Sequence, residues 1–211
     1  MEQRLTTFPD TKFSDISGYT DAYFEQYAKA AASVDREKLA EAAEVLLKAY
    51  GAAKTLYVCG NGGSASISNH LACDHGKLLA TDTDLLPRVQ SLATNVEVIT
   101  AIANDISYEE VFVHQLKLAA DPGDVLMTVS SSGDSPNVVA AANWAREFSL
   151  DVISMTGFTG GRTAKISSVN LHVEGDNYGI IEDVHQSLMH LLGQFMRQDQ
   201  MDESLIQQRK F

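Results

Sequence analysis

The sequence of 211 residues has few cysteines, few basic residues and no long apolar run. Its two cysteines, Cys59 and Cys73, have neither the spacing of a metal site nor that of a redox motif, so we expect buried free thiols in a reducing cytosol. Only 16 basic residues stand against 28 acidic ones, and the net charge of −12 argues against a nucleic-acid surface, which needs clustered cations. A small anionic ligand remains possible, because backbone dipoles can hold a phosphate on an acidic protein.

No stretch approaches the roughly 18 uninterrupted apolar residues that a membrane span needs. The first residues, MEQRLTTFPDTKF, lack the apolar core of a secretion signal. We therefore expect a cytoplasmic protein without a membrane partner. The hydrophobic fraction of 45% is ordinary for a globular chain, and the length suffices for one domain with a sizeable core.

Apolar runs and helical patterns alternate from residue 55 onward. Strands are predicted near residues 55–59, 89–93, 124–130, 151–156 and 169–174. Helices are predicted at 64–80, 95–103, 108–119, 135–148 and 180–198, with two more within 17–50. This alternation is typical of an α/β fold whose parallel sheet is covered on both faces and binds ligands at the carboxyl ends of its strands.

Two loops rich in glycine and serine follow strand-like runs. Residues 56–64 read LYVCGNGGS, and residues 130–135 read SSSGDS. A strand, a tight loop and a helix N-terminus together expose N–H groups that favour an anion. In the first loop the glycines allow close approach of a ligand, and Asn61 and Ser64 add side-chain hydrogen bonds. One such loop could be only a turn, but two predict a site for a phosphorylated small molecule.

Histidines and carboxylates cluster on two of the predicted helices. His70 and Asp74 lie four residues apart and share one helix face. Glu182, Gln186 and His190 are spaced by four on the last long helix. A carboxylate and an imidazole can move a proton between two sugar carbons, whereas two imidazoles with two carboxylates can bind Zn²⁺. The structural alternative for these side chains is a local hydrogen bond. Their spacing alone does not decide between proton transfer, Zn²⁺ binding and such a bond.

Other polar positions are interpreted structurally. His75 and His185 are expected to be structural rather than ligating. Asn104 and Asp105 follow an apolar helix and, taken alone, resemble a helix C-terminus followed by a cap. Residues 160–162 are interpreted as a turn.

Together these features resemble the sugar isomerase (SIS) domain and, within it, the phosphoheptose isomerases. The resemblance covers residues 20–198 approximately. It is carried by CGNGGSASISNHLACDH at 59–75, AIANDISYEEVF at 101–112, SSSGDSPN at 130–137, MTGFTGG at 155–161 and EDVHQSLMH at 182–190. It implies a single SIS domain of flavodoxin-like or Rossmann-like type, with three layers, a central parallel five-stranded sheet and an N-terminal helical hairpin.

The expected organisation has three parts. Residues 1–54 form helices that pack on the domain and on partner subunits, 55–198 form the SIS domain, and 199–211 form a polar, fraying tail. The resemblance also implies a homotetramer whose sites lie between subunits.

The resemblance also implies functional positions. The phosphate and sugar contacts fall on Asn61, Gly62, Gly63, Ser64, Asn104, Asp105, Ser130, Ser131, Ser132, Ser135 and Glu182. The implied ligands of a divalent metal, with zinc expected, are His70, Asp74, Glu182 and His190. His190 and an acidic residue, Asp74 or Glu182, are the implied catalytic groups for proton transfer.

Two of these positions depart from the family pattern. Asp74 stands where the family has glutamate, which shortens the base by one methylene. Glu182 stands where the family has glutamine, and the added carboxylate either strengthens cation binding or supplies the base. A shift of about 1 Å in a catalytic group can cost about a hundredfold in rate, so aspartate at position 74 is not equivalent to the glutamate of the family.

The implied activity is aldose–ketose isomerisation of a sugar phosphate, with sedoheptulose 7-phosphate and D-glycero-D-manno-heptose 7-phosphate as the expected pair, through an enediol. The alternative is a non-catalytic SIS protein that binds a sugar phosphate or a protein partner, as the replication-initiator-binding and regulatory members do. Retention of His70 and His190 favours the enzyme.

Overall fold

Five short strands form one parallel sheet in the computed structural model, which describes residues 7–211. Apolar residues dominate the central strands, as expected for strands covered on both faces. The strands are β1 (Thr55–Cys59), β2 (Arg88–Ser91), β3 (Val125–Val129), β4 (Asp151–Thr156) and β5 (Val169–His172). Their order across the sheet is β2-β1-β3-β4-β5. The predicted five-stranded parallel sheet is confirmed.

Helices connect the strands and cover the sheet. They are α1 (Ile16–Ser33), α2 (Arg36–Gly51), α3 (Gly63–Leu78), α4 (Val96–Asp105), α5 (Val113–Ala119), α6 (Pro136–Glu147), α7 (Thr163–Ile166), α8 (Tyr178–Gln200) and α9 (Glu203–Ile206), with a 3₁₀ turn at Tyr108–Glu110. The short α7 and α9 were not predicted, because four residues are too few to show a helical period. Within residues 7–211, no helix combines the length and apolarity needed to cross a membrane.

Alternate side chains of each strand pack on opposite faces of the sheet. Leu56 and Val58 face a core shared with α1, α2, α3 and α8. Tyr57 and Cys59 face a second core shared with α4, α5 and α6. The strand period of two therefore builds the predicted three layers from one run of apolar residues.

The predicted N-terminal hairpin consists of α1 and α2, and α1 packs against α8. Tyr23 Oη donates a hydrogen bond of 2.6 Å to the Asp183 carboxylate, and the Tyr27 hydroxyl lies 2.7 Å from that of Ser187. The tyrosines recur every fourth residue because that spacing keeps them on one helix face. Of the predicted segment 1–54, residues 1–6 lie outside the described part of the chain, and its separation from the rest stays a prediction.

The residues after 199 are tied to the body of the domain. The nearly buried guanidinium of Arg197 donates hydrogen bonds of 3.0 Å to the Asp82 carboxylate and to the Lys210 carbonyl. Arg209 donates to the same carboxylate at 2.9 Å. These contacts tie the last residues to the domain, and the predicted fraying of the tail stays a prediction.

The two cysteines differ in burial. Cys59 is buried in β1, and burial raises the pKa of its thiol to about 12. Cys73 is exposed on α3, so the prediction that it is buried is wrong. The buried stripe of α3 includes Ile67, Leu71 and His75, and Cys73 lies off that stripe.

The two predicted glycine–serine loops meet between β1 and β3. These strands are neighbours, but α3, which follows β1, packs into the first core and α6, which follows β3, packs into the second. The helices therefore leave toward opposite faces of the sheet. Such a divergence opens a crevice beyond the carboxyl ends of the strands, where ligands of open α/β sheets bind.

Candidate active site

A cavity of about 190 Å³ occupies this crevice. Both loops line it, and so does the start of α8. The lining residues are Asn61, Ser64, Val129, Ser130, Ser131, Ser132, Ser135, Tyr178 and Glu182. Seven of the residues predicted to contact a phosphate or sugar therefore line one cavity.

The first loop is packed tightly against the end of β3. A Cβ atom at Gly60 would lie 2.7 Å from the Val129 carbonyl oxygen, which is too close for any other residue. Gly62 adopts a φ of +54°, a left-handed conformation that favours glycine. Gly62 also supplies no side-chain cap to α3. The first N–H groups of α3 therefore keep their capacity to bind an anion.

Asn61 is held across the crevice by two residues. Its side-chain amide exchanges two hydrogen bonds of 2.9 Å with the amide of Asn137 in the first turn of α6. Tyr108 Oη donates a third hydrogen bond, also of 2.9 Å, to the side-chain oxygen Oδ1 of Asn61. The first loop is thereby tied to the helix that follows the second loop.

The second loop is braced by the loop after β4. Gly133 has a φ of +63°, and a Cβ there would overlap the Gly160 carbonyl. Arg162 Nε donates to the Asp134 carboxylate at 2.8 Å, which holds the pKa of that carboxyl below its usual value. The Arg162 side chain is therefore paired with Asp134. Anion recognition in the cavity is left to hydroxyl and backbone N–H groups.

Unused donors face the second loop's side of the cavity. The Ser131 hydroxyl is buried and has no hydrogen-bond partner among residues 7–211. Ser135 occupies the N-cap position of α6 but its side chain makes no capping bond, and Pro136 follows it. The N-terminus of this helix of 12 residues therefore keeps backbone donors for an anion, and the buried Ser131 hydroxyl is a further donor close by.

Glu182 reaches the cavity from the first turns of α8. Its carboxylate lies over Gly63, where a built Cβ would clash with both carboxylate oxygens. Burial, with a smaller contribution from the charge of Asp183, raises the pKa of Glu182 above its ordinary value. A half-buried carboxyl with a raised pKa, in a cavity that serines also line, is suited to proton transfer.

A second group of side chains lies further along the same two helices. His70 Nε2 is 3.4 Å from one oxygen of Asp74, and His190 Nε2 is 3.5 Å from the other. Ligand atoms of these three residues all lie within 4.8 Å of one another. Gln186 Nε2 lies 2.9 Å from His70 Nδ1 and 3.4 Å from His190 Nε2.

These separations suit a divalent cation. Ligands at about 2.0–2.2 Å from a tetrahedral ion stand about 3.3–3.6 Å apart. Each imidazole Nε2 lies in that range from one oxygen of the Asp74 carboxylate, a different oxygen for each imidazole. Imidazole nitrogen together with carboxylate oxygen is also a donor set that zinc accepts. The three side chains present therefore fit such an ion.

Glu182 lies apart from this group within one chain, and its place in the predicted set of four ligands stays a prediction. Glu182 precedes His190 by eight residues, which places it two turns away, roughly 12 Å along the helix axis. Its side chain extends toward Gly63. Among residues 7–211, the structure brings His70, Asp74 and His190 together and leaves Glu182 in the serine cavity.

Asn104 and Asp105 also lie apart from the cavity lining. They are exposed at the end of α4, where Asn104 donates a hydrogen bond of 2.8 Å to the Asp105 carboxylate. Within one chain they form the helix terminus that their local sequence indicates.

His75 and His185 are buried on the inner faces of α3 and α8. His75 Nδ1 lies 3.0 Å from the Tyr50 hydroxyl, and His185 Nε2 lies 3.2 Å from the Thr156 carbonyl. Burial lowers the pKa of each imidazole to about 4. These positions agree with the expected structural role.

Sequence reasoning assigned no role to Asn137, Tyr108, Tyr178 or Gln186. Asn137 and Tyr108 were present in the quoted motifs, but nothing local indicates that they converge on Asn61. Gln186 did carry a signal, because it lies one helical turn from His190 on the same face.

Comparison with known proteins agrees with this architecture. The family model of the SIS domain matches residues 19–157. A probable phosphoheptose isomerase of Thermoplasma volcanium is 32% identical over 181 residues, which cover 86% of this chain and 90% of that protein. The structure of a phosphoheptose isomerase from Neisseria gonorrhoeae shares 30% identity with a TM-score of 0.79, covering 86% of this chain and 98% of that one. One from Francisella tularensis shares 26% identity with a TM-score of 0.78, covering 89% and 99%.

The two buried histidines predict a loss of stability in mild acid. Their pKa is about 4 when folded against 6.5 in the reference state, so the unfolded chain binds more protons between these values. The contribution of each histidine to the free energy of unfolding is complete above pH 6.5. It falls as the pH drops and is lower by roughly 2 kcal/mol at pH 5. Urea unfolding at pH 7.5 and at pH 5 measures the difference in the free energy of unfolding.

In His75→Gln or His185→Gln, the difference in unfolding free energy between the two pH values should shrink by that amount. His114→Gln, a partly exposed histidine of α5, serves as the control. An unchanged difference in both buried variants would contradict the assignment.

Proposed function

We propose that this chain, which belongs to the SIS domain family and within it to the phosphoheptose isomerases, interconverts an aldose and a ketose phosphate. The expected pair is sedoheptulose 7-phosphate and D-glycero-D-manno-heptose 7-phosphate. The observation that carries the proposal is one cavity lined by the serines of the second loop, among them the unpaired Ser131, and by Glu182. A phosphate site and a proton carrier in one cavity are what an isomerase of sugar phosphates requires.

The second loop binds the phosphate in this proposal. Ser130, Ser131, Ser132 and Ser135 supply hydroxyls, and the open N-terminus of α6 supplies backbone donors. On a chain of net charge −12, such neutral donors hold an anion without a basic side chain in the lining. Asn61, Ser64 and the backbone of the first loop then face the sugar.

Proton transfer falls to Glu182, and to His190 when its Nε2 carries no cation. Isomerisation needs a base at the carbon next to the carbonyl and a donor for the enediol oxygen. Glu182 shares the cavity with the serine loop, and its raised pKa brings it nearer to a working pH. Asp74, in contrast, lies with the two imidazoles, which supports a role in holding a cation.

His70, Asp74 and His190 would hold a divalent cation, with zinc as the first expectation. When bound, such an ion polarises sugar oxygens. Asn104 and Asp105 orient sugar hydroxyls in the proposal, and because they lie outside the cavity of their own chain they would do so in a neighbouring subunit's site.

The proposed assembly is a cytoplasmic homotetramer. Large apolar side chains on the outer faces of α1 and α8 support subunit contacts there, since Phe24, Leu191 and Phe195 are each more than half exposed. Leu191 and Phe195 also line an apolar groove of about 280 Å³ against α2. Burial of these side chains between subunits would remove them from water.

The assembly is tested by charge substitution. Light scattering during gel filtration should give a tetramer for the native chain and a smaller species for Leu191→Glu with Phe195→Glu, because a buried unpaired carboxylate is strongly unfavourable. Leu118→Glu, at an exposed leucine of α5, is the matched control and should stay tetrameric. A monomeric native chain would refute the tetramer.

The activity is tested with the purified protein and a panel of C5–C8 ketose phosphates, with and without Zn²⁺. Conversion of sedoheptulose 7-phosphate is expected. His190→Ala and Glu182→Gln should each lower kcat by about 10²–10⁴-fold, the usual contribution of an acid–base group, with little change in phosphate affinity.

Other outcomes separate the alternatives. If only Asp74→Asn is as damaging as His190→Ala, the base is Asp74. If no sugar phosphate is converted but one binds, the chain is a non-catalytic SIS protein.

The phosphate site is tested through the unpaired hydroxyl. Ser131→Ala should raise KM for the sugar phosphate by about tenfold or more, because a hydrogen bond to a charged group contributes about 1.5–3 kcal/mol, while kcat changes less. Thr100→Ala is the control, since that exposed hydroxyl bonds only to carbonyls of its own helix. An unchanged KM for Ser131→Ala would place the phosphate elsewhere.

A further inference from the structure

We infer that Asn137 is a positioning residue: it holds the side-chain amide of Asn61 so that Asn61 presents one N–H donor, and no acceptor, to the carbonyl oxygen of the sugar. The inference deepens the proposed function and rests on its placement of the sugar beside the first loop. Asn137 itself is 1% exposed and is not among the residues that line the cavity. Its effect on a ligand must therefore pass through Asn61.

A backbone N–H fixes the orientation of the Asn137 amide. The oxygen and nitrogen of an asparagine side chain exchange places by a half-turn about the last bond, so their contacts must decide between the two arrangements. The Val138 N–H lies in hydrogen-bond contact with Asn137 Oδ1, at 3.0 Å. Because a backbone N–H can only donate, the atom that it meets is the oxygen. The other atom of the amide, Nδ2, is then a donor.

The orientation of Asn61 follows from that of Asn137. The two amides lie side by side, with Asn137 Nδ2 2.9 Å from Asn61 Oδ1 and Asn61 Nδ2 2.9 Å from Asn137 Oδ1. A half-turn of Asn61 alone would set nitrogen against nitrogen and oxygen against oxygen, and both hydrogen bonds would be lost. The pair of amides therefore holds Asn61 in one orientation.

Among the residues that the structure describes, the contacts of Asn61 leave it a single donor for a ligand. Its Oδ1 accepts two hydrogen bonds, one from Asn137 and one from Tyr108 Oη, and two is the capacity of an amide oxygen. Its Nδ2 carries two hydrogens, and one of them bonds Asn137. Since Asn61 lines the cavity, the second N–H is the group that its amide offers to the sugar.

A donor fixed in this way is suited to a carbonyl oxygen. A sugar hydroxyl can donate as well as accept, so an amide in either orientation could bind it. The carbonyl oxygen of the open-chain sugar only accepts, and it gains negative charge as the enediol forms. Glu182, the proposed proton carrier, lies over Gly63, two residues from Asn61. The carbon that loses its proton is bonded to the carbonyl carbon, so donor and base act on neighbouring atoms.

The experiment is a double-mutant cycle of Asn61→Ala and Asn137→Ala in the full-length chain, with kcat and KM measured for sedoheptulose 7-phosphate. Asn61→Ala should lower kcat by about 10²–10³-fold, the usual effect of removing a donor to a developing oxyanion. Asn137→Ala should lower kcat by about tenfold or more, because an amide that is free to turn no longer holds its N–H on the oxygen. In the Asn61→Ala background, Asn137→Ala should change kcat by less than about threefold.

A second substitution at position 137 protects the test against loss of structure. Asn137→Asp keeps an acceptor for the Val138 N–H, and a carboxylate in the first turn of a helix is favourable. Either orientation of Asn61 would then make one hydrogen bond and one oxygen–oxygen contact, so neither is preferred. Asn137→Asp should therefore lower kcat as Asn137→Ala does. Urea unfolding checks that each variant is folded.

Two comparisons separate positioning from a general disturbance of the site. Inorganic phosphate should inhibit Asn137→Ala and the native chain with the same inhibition constant, because the serine hydroxyls of the second loop are unchanged. Asn170→Ala is the matched control, since Asn170 is a partly buried asparagine of β5 that accepts a hydrogen bond from Thr156. It should leave kcat and KM unchanged.

A binding measurement tests the inference without turnover. Calorimetry in the presence of Zn²⁺ compares a phosphorylated sugar hydroxamate, which imitates the enediolate, with the corresponding alditol phosphate, which lacks the carbonyl. Asn137→Ala should bind the hydroxamate about tenfold or more weakly than the native chain does, because a hydrogen bond to a charged oxygen is lost. Its affinity for the alditol phosphate should be retained.

Several results would overturn the inference. Additive effects of the two alanine substitutions would mean that Asn137 acts independently of Asn61. An increase in KM with an unchanged kcat, or equal weakening of both ligands, would show that Asn61 does not serve the carbonyl oxygen. A native chain that binds neither ligand would refute the inference together with the sugar phosphate site. A chain that converts no sugar phosphate, but loses hydroxamate affinity selectively in Asn137→Ala, would refute the isomerase and support the inference.

Discussion

The packing of α3 against α8 is the contact on which both parts of the site depend. Gly63 and Gly193 mark two places where the helices come close, since a side chain at the first would meet Glu182 and one at the second would crowd His75. Between these points, polar residues of α8 lie against residues of α3. Glu182 lies over Gly63, and Gln186 contacts His70 one turn later. The helical repeat therefore sets the distance between the serine cavity and the group of His70, Asp74 and His190.

Much of the fold follows from local patterns. The fully buried β3 is a continuous apolar run, and the predicted bounds of β1 and β4 match those observed, because turn residues delimit both strands. The two loops were also predictable, since glycine and serine after an apolar run indicate a tight turn or a close approach of the backbone to a ligand. The cysteine on α3 was misjudged because residue type suggested burial while helix position determined exposure.

The site was only partly predictable, for a physical reason. Glu182, Gln186 and His190 occupy the same face of α8, and the period of the helix cannot show which turn meets His70. That choice depends on how α8 crosses α3, which follows from packing over the whole sheet. In the same way, the contact of Tyr108 with Asn61 joins residues 47 apart in the chain. No local pattern contains that information.

The two loops that line the cavity are each held in place by a glycine. Gly60 lies against the end of β3, and Gly133 lies against the loop after β4, so neither loop can be moved without disturbing the backbone behind it. The open side is different, because Tyr178 is 63% exposed and borders the cavity from the first turn of α8. A change of residue at position 178 would therefore alter the opening of the cavity and leave the two loops behind it in place.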